Sequence, residues 1–405
     1  MKDLLAGLRV VEVALYGFVP AAGAALADCG ADVVKIEHPE SGDPVRSLSA
    51  YGINPGDGGV STLWECFNRG KKSVGLNIAS PAGHELLMSL IDQADVFITS
   101  FMQSARARLG IDVDQLLARN PRLIYGRGTG QGPLGPDADK GGFDGLSYWS
   151  RPGVSTAASP PDYDFPVLLA GPGFGDVQSG MNLAGGILGA LYRREKTGKG
   201  GVVDVSLFSS GLWAMQASIA GCHATGRKNI EQLDRRQPPN PLTNIYRSSD
   251  GSFFVLGMLE ADRYWAGLCA ALDRPDLAAN VDYATMADRA KSSAEVVVEL
   301  DKTFAQFTID EIATRLNSQE GQWSRVEFPG DVVHDEQAIV NGYLQMVDYE
   351  NGATLPMIAM PASLDGAMPH LSRAPEKGEH TTAVLSSVGV NDETLEKFRT
   401  DGVIC

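Results

Sequence analysis

Asp176 is the residue of this chain whose setting most invites chemistry. It stands in Gly171-Pro-Gly-Phe-Gly-Asp-Val-Gln-Ser-Gly180, behind glycines at 171, 173 and 175 and ahead of a long run of small residues that reads as a helix. Those glycines open backbone conformations closed to other residues and let a bulky ligand approach. The amides that begin a helix donate to anions. A carboxylate placed there, ionised at neutral pH, is a plausible nucleophile toward a carbonyl, with the same amides holding the tetrahedral oxyanion. The alternative is that Asp176 caps its helix, and the segment by itself favours the cap. Other chemistries find little support. Cys29, Cys66, Cys222, Cys269 and Cys405 are scattered without CxxC spacing, and the six histidines show no HExxH pairing. Neither a disulfide framework nor a metal site is expected.

The elements that must position this acid alternate along the chain. Val10 to Ala14 reads as a buried strand, Pro20 as the opening of a helix that ends near Gly30, and Asp32 to Glu37 as the next strand. This βαβ unit resembles a dinucleotide-binding motif, with Glu37 where an acid would hold a ribose. Its connecting loop, Tyr16-Gly-Phe-Val-Pro20, lacks GxGxxG, which weakens an oxidoreductase reading. A helix from Pro81 to about Ala94, a strand at 96–99, a helix at 113–119 and a strand at 123–126 continue the pattern. Helix 179–196, strand 202–206 and helix 207–225 close it. Alternation of this kind predicts a largely parallel sheet covered by helices. Between Arg127 and Gly173 the glycines and prolines predict loop, and a loop so long is more often functional than idle.

Residues 226–241 read as a linker, 242–330 as a smaller α+β domain with a strand at 253–259 and helices near 263–272, 294–307 and 309–316, and 331–405 as a linker and return to the large domain (1–225). A length of 405 residues accommodates this, and a net charge of −16 argues against sequence-independent binding to nucleic acid or anionic membranes. No apolar run reaches a membrane span and the first residues show no signal-peptide core, so a cytoplasmic protein is expected.

An ordered set of motifs spans nearly the whole chain: Leu8-Arg-Val-Val-Glu-Val13, Gly30-Ala-Asp-Val-Val-Lys-Ile-Glu37, Ser41-Gly-Asp43, Asn68-Arg-Gly-Lys-Lys-Ser73, Arg108-Leu-Gly110, Asn120-Pro-Arg-Leu-Ile-Tyr125, Gly175-Asp176, Arg193 to Gly200, Arg373-Ala-Pro375 and Gly378-Glu-His-Thr381. Together they resemble the family III CoA-transferases, which include formyl-CoA transferase and the carnitine and bile-acid CoA-transferases. The resemblance implies a Rossmann-like large domain and a homodimer of interlocked rings. It implies acyl-CoA and a carboxylic acid as substrates, with no tightly bound cofactor, and casts Asp176 as a nucleophile that passes through mixed anhydrides and an aspartyl-CoA thioester. The family's CoA contacts map onto His38, Leu76, Ala79, Ser100, Phe101, Arg108, Gly141 and Phe143.

Departures from the family pattern matter. Position 38 is commonly Arg, Met102 replaces an Arg that often follows the aromatic, and Gly141 replaces a typical Lys. Arg106, Arg108, Lys71 and Lys72 are then the nearby candidates for the CoA phosphates, unless they are ordinary solvated charges. Tyr148 stands where transferases often carry Gln; with Trp149 it suggests either a bulky acyl group or core packing. The 2-methylacyl-CoA racemases share the fold and use a His before an Asp. Asp144 and Glu260 persist here, but the His position is Phe143, which cannot take a proton. A non-catalytic CoA-binding scaffold is a third reading.

Overall fold

The computed structural model describes residues 3–160, 163–231 and 233–405. It divides into two compact units, Met1–Ile230 with Glu336–Cys405, and Glu231–Asp335.

The first unit begins β1 (Arg9–Val13), α1 (Phe18–Asp28), β2 (Asp32–Glu37), α2 (Thr62–Asn68), β3 (Lys72–Gly75), α3 (Pro81–Ile91), β4 (Val96–Thr99), α4 (Gln103–Arg108), α5 (Val113–Arg119) and β5 (Ile124–Thr129). A π-helical turn at Asp144–Ser150 precedes α6 (Val154–Ala158), α7 (Phe174–Thr197), β6 (Gly201–Ser206), α8 (Leu207–Ala214) and α9 (Gln216–Thr225). Six strands form one sheet in the order β3-β2-β1-β4-β5-β6, every neighbouring pair parallel. Alternate residues of a strand face opposite sides. Val11, Val13, Phe97 and Tyr125 therefore enter a core with α3, and Val10, Val96, Ile98 and Ile124 enter another with α1 and α7.

One helix boundary needs correction, and one strand was missed. Pro20 does not open α1; Phe18 does, and Pro20 sits in the first turn, where its missing N–H would have no partner. β3 was not anticipated, because Lys72-Ser-Val-Gly75 has no apolar run and the buried polar Ser73 hides the strand from its periodicity. The stretch from 127 to 173 is mostly loop, as expected, interrupted by the end of β5, the π-helical turn and α6.

The small residues of α7 serve close packing. A Cβ on Gly180 would lie 2.8 Å from Ala21 Cβ and 2.9 Å from the Phe18 carbonyl oxygen, so only glycine lets α7 approach α1. Gly180→Ala is expected to cost about 1–3 kcal/mol, since backbone atoms cannot yield as a side chain can. A denaturant midpoint equal to wild type would contradict this packing.

The second unit contains β7 (Thr243–Arg247), β8 (Phe253–Gly257), α10 (Ala261–Ala271), α11 (Pro275–Ala279), α12 (Met286–Lys291), α13 (Ser293–Phe304), α14 (Ile309–Leu316) and β9 (Trp323–Val326). Its strands form an antiparallel sheet around Phe254, Leu256, Leu268, Leu300 and Phe304. The chain then returns to the first unit with α15 (Glu336–Val340), the hairpin β10 (Leu344–Asp348) and β11 (Thr354–Ile358), α16 (Thr381–Ser387) and α17 (Asp392–Thr400). No helix among the described residues is long and apolar enough to cross a membrane.

Candidate active site

The strand order reverses between β1 and β4, and in open parallel sheets a ligand crevice opens beyond the carboxyl ends of the strands at that point. Here the Leu15 amide donates to Ser100 Oγ at 3.1 Å and ties the two strand ends together. Tyr16 then takes a left-handed conformation, φ 65°, uncommon for a residue with a side chain. Its amide donates to Asp43 Oδ1 at 3.2 Å. Gly17 follows, and a Cβ there would lie 2.4 Å from Asp176 Oδ2. A cleft of about 430 Å³ fills this crevice, bounded by Tyr16, Gly17, Phe101, Met102, Phe143 and Asp176 among others.

Asp176 lies within the first turn of α7, not ahead of it, because the helix starts at Phe174. Nor is Asp176 the cap. Asp144 fills that role: its Oδ2 accepts the Gly175 amide at 2.9 Å, and it also accepts the amide of Asp176. Gly175 is required beside it, since a Cβ would fall 2.3 Å from Asp144 Oδ1 and 2.4 Å from Tyr148 Cγ. With a separate cap in place, the Asp176 carboxylate is left to face the cleft.

That carboxylate is not simply ionised at neutral pH, as an exposed aspartate would be. Burial, and then the nearby Asp144 charge, push its pKa up to about 7. Burial likewise raises Asp144 to about 6, against the two amides that favour its anion. The positive end of α7 favours the Asp176 anion, but such an effect is worth only about 0.3–1 kcal/mol where solvent reaches it. Desolvation wins. Opposite the acid, the first amides of α1, Phe18 and Val19, have no hydrogen-bond partner among the described residues. A weakly solvated carboxylate next to unpaired helix amides can attack a carbonyl and have the resulting oxyanion held.

Of the CoA positions implied by resemblance, Ser100, Phe101, Gly141 and Phe143 meet Asp176 in this cleft, with the Phe143 ring edge-on to Tyr16 at 5.3 Å. The other four do not line it. His38 is exposed at the end of β2, where its Nδ1 accepts the Glu40 amide. Ala79 is exposed ahead of α3. Leu76 is buried in the core, its amide donated to Glu37 and its carbonyl taken by Ile78. Arg108 is exposed in the last turn of α4, with no charge or hydrogen-bond partner among the described residues.

Three candidate phosphate cations are already committed. Arg106 donates to Asp112 and to the Phe101 carbonyl. Lys72 pairs with Asp32 at 2.7 Å. Lys71 is buried against Glu12, Pro20 and Asn68, and burial lowers its pKa to about 7. Glu37 cannot hold a ribose, because Arg46, Ser73 and the Asp43 amide occupy its oxygens. Tyr148 and Trp149 are core residues packed on Phe174, so they do not form an acyl pocket in this unit. Glu260 belongs to the second unit, exposed at the start of α10 and paired with Arg263 at 3.4 Å.

Tyr16, Gly17 and Asp43 escaped notice as site residues. Asp43 lay inside a recognised motif, which was the available signal. A left-handed tyrosine has no sequence signature.

The model of CoA-transferase family III matches residues 5–381. The chain is 30% identical to the (R)-2-hydroxy-4-methylpentanoate CoA-transferase of Clostridioides difficile, over 99% of both chains. It is also 30% identical to the cinnamoyl-CoA:phenyllactate CoA-transferase of Clostridium sporogenes, over 98% of this chain and 97% of that one. A crystal structure of a CaiB/BaiF family protein from Brucella suis superposes with a TM-score of 0.81 at 28% identity, covering 95% of this chain and 99% of that chain. The family reading made from the ordered motifs is thus borne out. With the six-stranded parallel sheet on the same footing, this chain belongs to CoA-transferase family III, enzymes that transfer CoA between carboxylic acids.

Proposed function

We propose that Asp176 carries the transfer covalently. A carboxylate oxygen attacks the donor thioester carbonyl, the C–S bond breaks, and a mixed anhydride and CoA thiolate result. The thiolate attacks the aspartyl carbonyl, releasing the donor acid and leaving an aspartyl-CoA thioester. The acceptor carboxylate attacks that thioester, expelling thiolate and forming a second mixed anhydride. Attack of the thiolate on the acceptor acyl carbon completes the new thioester and returns the Asp176 carboxylate. No proton or electron is gained or lost overall, and the thioester bond energy passes through covalent intermediates. The observation that carries this reading is Asp176 itself, uncapped, half-buried at the switch-point cleft and set against Gly17 and the unpaired amides of α1.

Phe101, Phe143, Ser100 and Gly141 would flank the CoA chain, with Arg108 as the cation free to meet a phosphate and His38 and Ala79 as outer contacts. The experiment is intact-protein mass spectrometry after mixing with branched-chain, aromatic and dicarboxylic acyl-CoA thioesters, with hydroxylamine to trap activated carboxyl groups. A hydroxamate on Asp176 supports the reading; a thioester that turns over without ever marking Asp176 ends it.

A homodimer belongs to the same proposal. Helix α9 buries none of its residues, its Ile219 is 42% exposed, and Trp213 at the end of α8 just before it is 67% exposed. A ten-residue helix is marginal without tertiary packing, so an apolar partner is needed to cover it.

The pH dependence follows from the paired acids. Only ionised Asp176 attacks, so kcat/KM is expected to rise with pH up to about 7 and then level off. Asp144→Asn removes the like charge and keeps an acceptor for the Gly175 amide. Its profile should have a midpoint at lower pH, still above the ordinary aspartate range because burial persists. An unmoved midpoint would show that Asp144 does not act on Asp176 through charge.

A further inference from the structure

Four of the recognised motifs contribute nothing to the reaction scheme, yet they converge on one place. Glu12, Lys35, Glu37, Asp43, Asn68, Lys71 and Ser73 come from four separate motifs, and all are buried. Lys35 Nζ lies 2.9 Å from Glu12 and 2.9 Å from Asp43, and Lys71 Nζ lies 2.7 Å from the other Glu12 oxygen. Glu37 holds Arg46 through two hydrogen bonds of 2.8 and 2.9 Å, and Arg46 stacks on Trp64. Three carboxylates thus face three cations. Strands buried in a parallel sheet are ordinarily apolar, and a buried ion pair is on average no more stabilising than well-packed hydrophobic side chains. Stability does not explain the cluster.

Its outward hydrogen bonds do. Lys35 donates to the Ala14 carbonyl at 2.8 Å, Asp43 accepts the Tyr16 amide, and Lys71 donates to the Pro20 carbonyl at 2.9 Å. These three contacts bracket the turn that presses Gly17 onto Asp176. The same cluster excludes a side chain at Gly23 of α1, where a Cβ would fall 2.0 Å from Glu12 Oε2. A left-handed tyrosine is strained and persists only where its surroundings over-determine it.

We propose that the buried Glu12–Lys35–Asp43–Lys71 cluster is a positioning device that clamps the Ala14–Pro20 segment, holding Gly17 and the first amides of α1 against Asp176. None of the four touches the reacting atoms; they act through the turn. The proposal rests on Asp176 as nucleophile, and its test separates the two.

Asp43→Ala removes the acceptor of the Tyr16 amide. The double variant Glu12→Gln/Lys71→Met removes one charge of each sign, strands neither, and serves if Asp43→Ala does not fold. In both, kcat and the rate of hydroxamate formation on Asp176 are expected to fall together by about 10- to 100-fold, a loss typical of misplacement by about an ångström. KM for acyl-CoA should stay close to wild type, and hydrogen exchange in the peptide spanning Leu15–Val19 should quicken at least about tenfold as the turn opens locally. Asp43→Asn, which keeps an acceptor oxygen, should recover most of kcat. Folded variants with wild-type kcat and wild-type exchange at this turn overturn the proposal, as does an Asn variant no better than Ala. If wild type itself forms no hydroxamate, the nucleophile assignment fails, and exchange at the turn still decides whether the cluster holds it.

Discussion

Asp176→Asn is expected to lower kcat/KM by on the order of 10⁴-fold while making the fold more stable above pH 4. The rate loss follows from chemistry: an amide cannot form the mixed anhydride, and removing a covalent nucleophile abolishes the route instead of slowing one step of it. The stability gain follows from the raised pKa. Between the ordinary aspartate value near 3.9 and about 7, the folded state binds a proton that the unfolded state has released, so stability falls as pH rises through that window. Asparagine has no such titration. Its advantage in denaturant midpoint should therefore grow from pH 4 to about pH 7 and then level off. Equal midpoints at pH 4.5 and pH 8 would mean that Asp176 is not held in a desolvated site. Activity near wild type would remove it from the reaction altogether.

Gly17→Ala should reduce kcat by about 100-fold with little change in stability. Gly17 has φ −99°, a conformation alanine adopts without strain, so the backbone contributes nothing to the effect. The new methyl would instead overlap Asp176 Oδ2 at 2.4 Å and Cγ at 3.0 Å, and the carboxylate must rotate away. An unchanged unfolding midpoint with depressed kcat separates displacement of the acid from damage to the fold. Full activity would show that the carboxylate reaches its reactive position without contact with residue 17.

Much of the architecture was legible in local pattern. Val10-Val-Glu-Val13 and Val96-Phe-Ile-Thr99 announce buried strands by composition, and Pro81 marks a helix start through the ordinary Ser80 cap. The strand at β3 was not legible, because Lys72-Ser-Val-Gly75 holds a single large apolar residue and the burial of Ser73 depends on partners elsewhere in the chain. The same limit governed the site. Lys71 and Glu37 carry charges suited to phosphate and ribose, and only their neighbours show that both are already engaged. Asp144 looked auxiliary and proves to be the cap that Asp176 was expected to be.

By itself, then, the sequence determined the alternating α/β plan, the family and the presence of an acid at a glycine-rich helix start, since each is written in spacing along the chain. The tertiary structure alone decided which charges are spent in the buried cluster, which carboxylate caps α7, and that Asp176 titrates near 7. Ionisation and hydrogen bonding depend on burial and on groups brought close through space, and no local pattern records either.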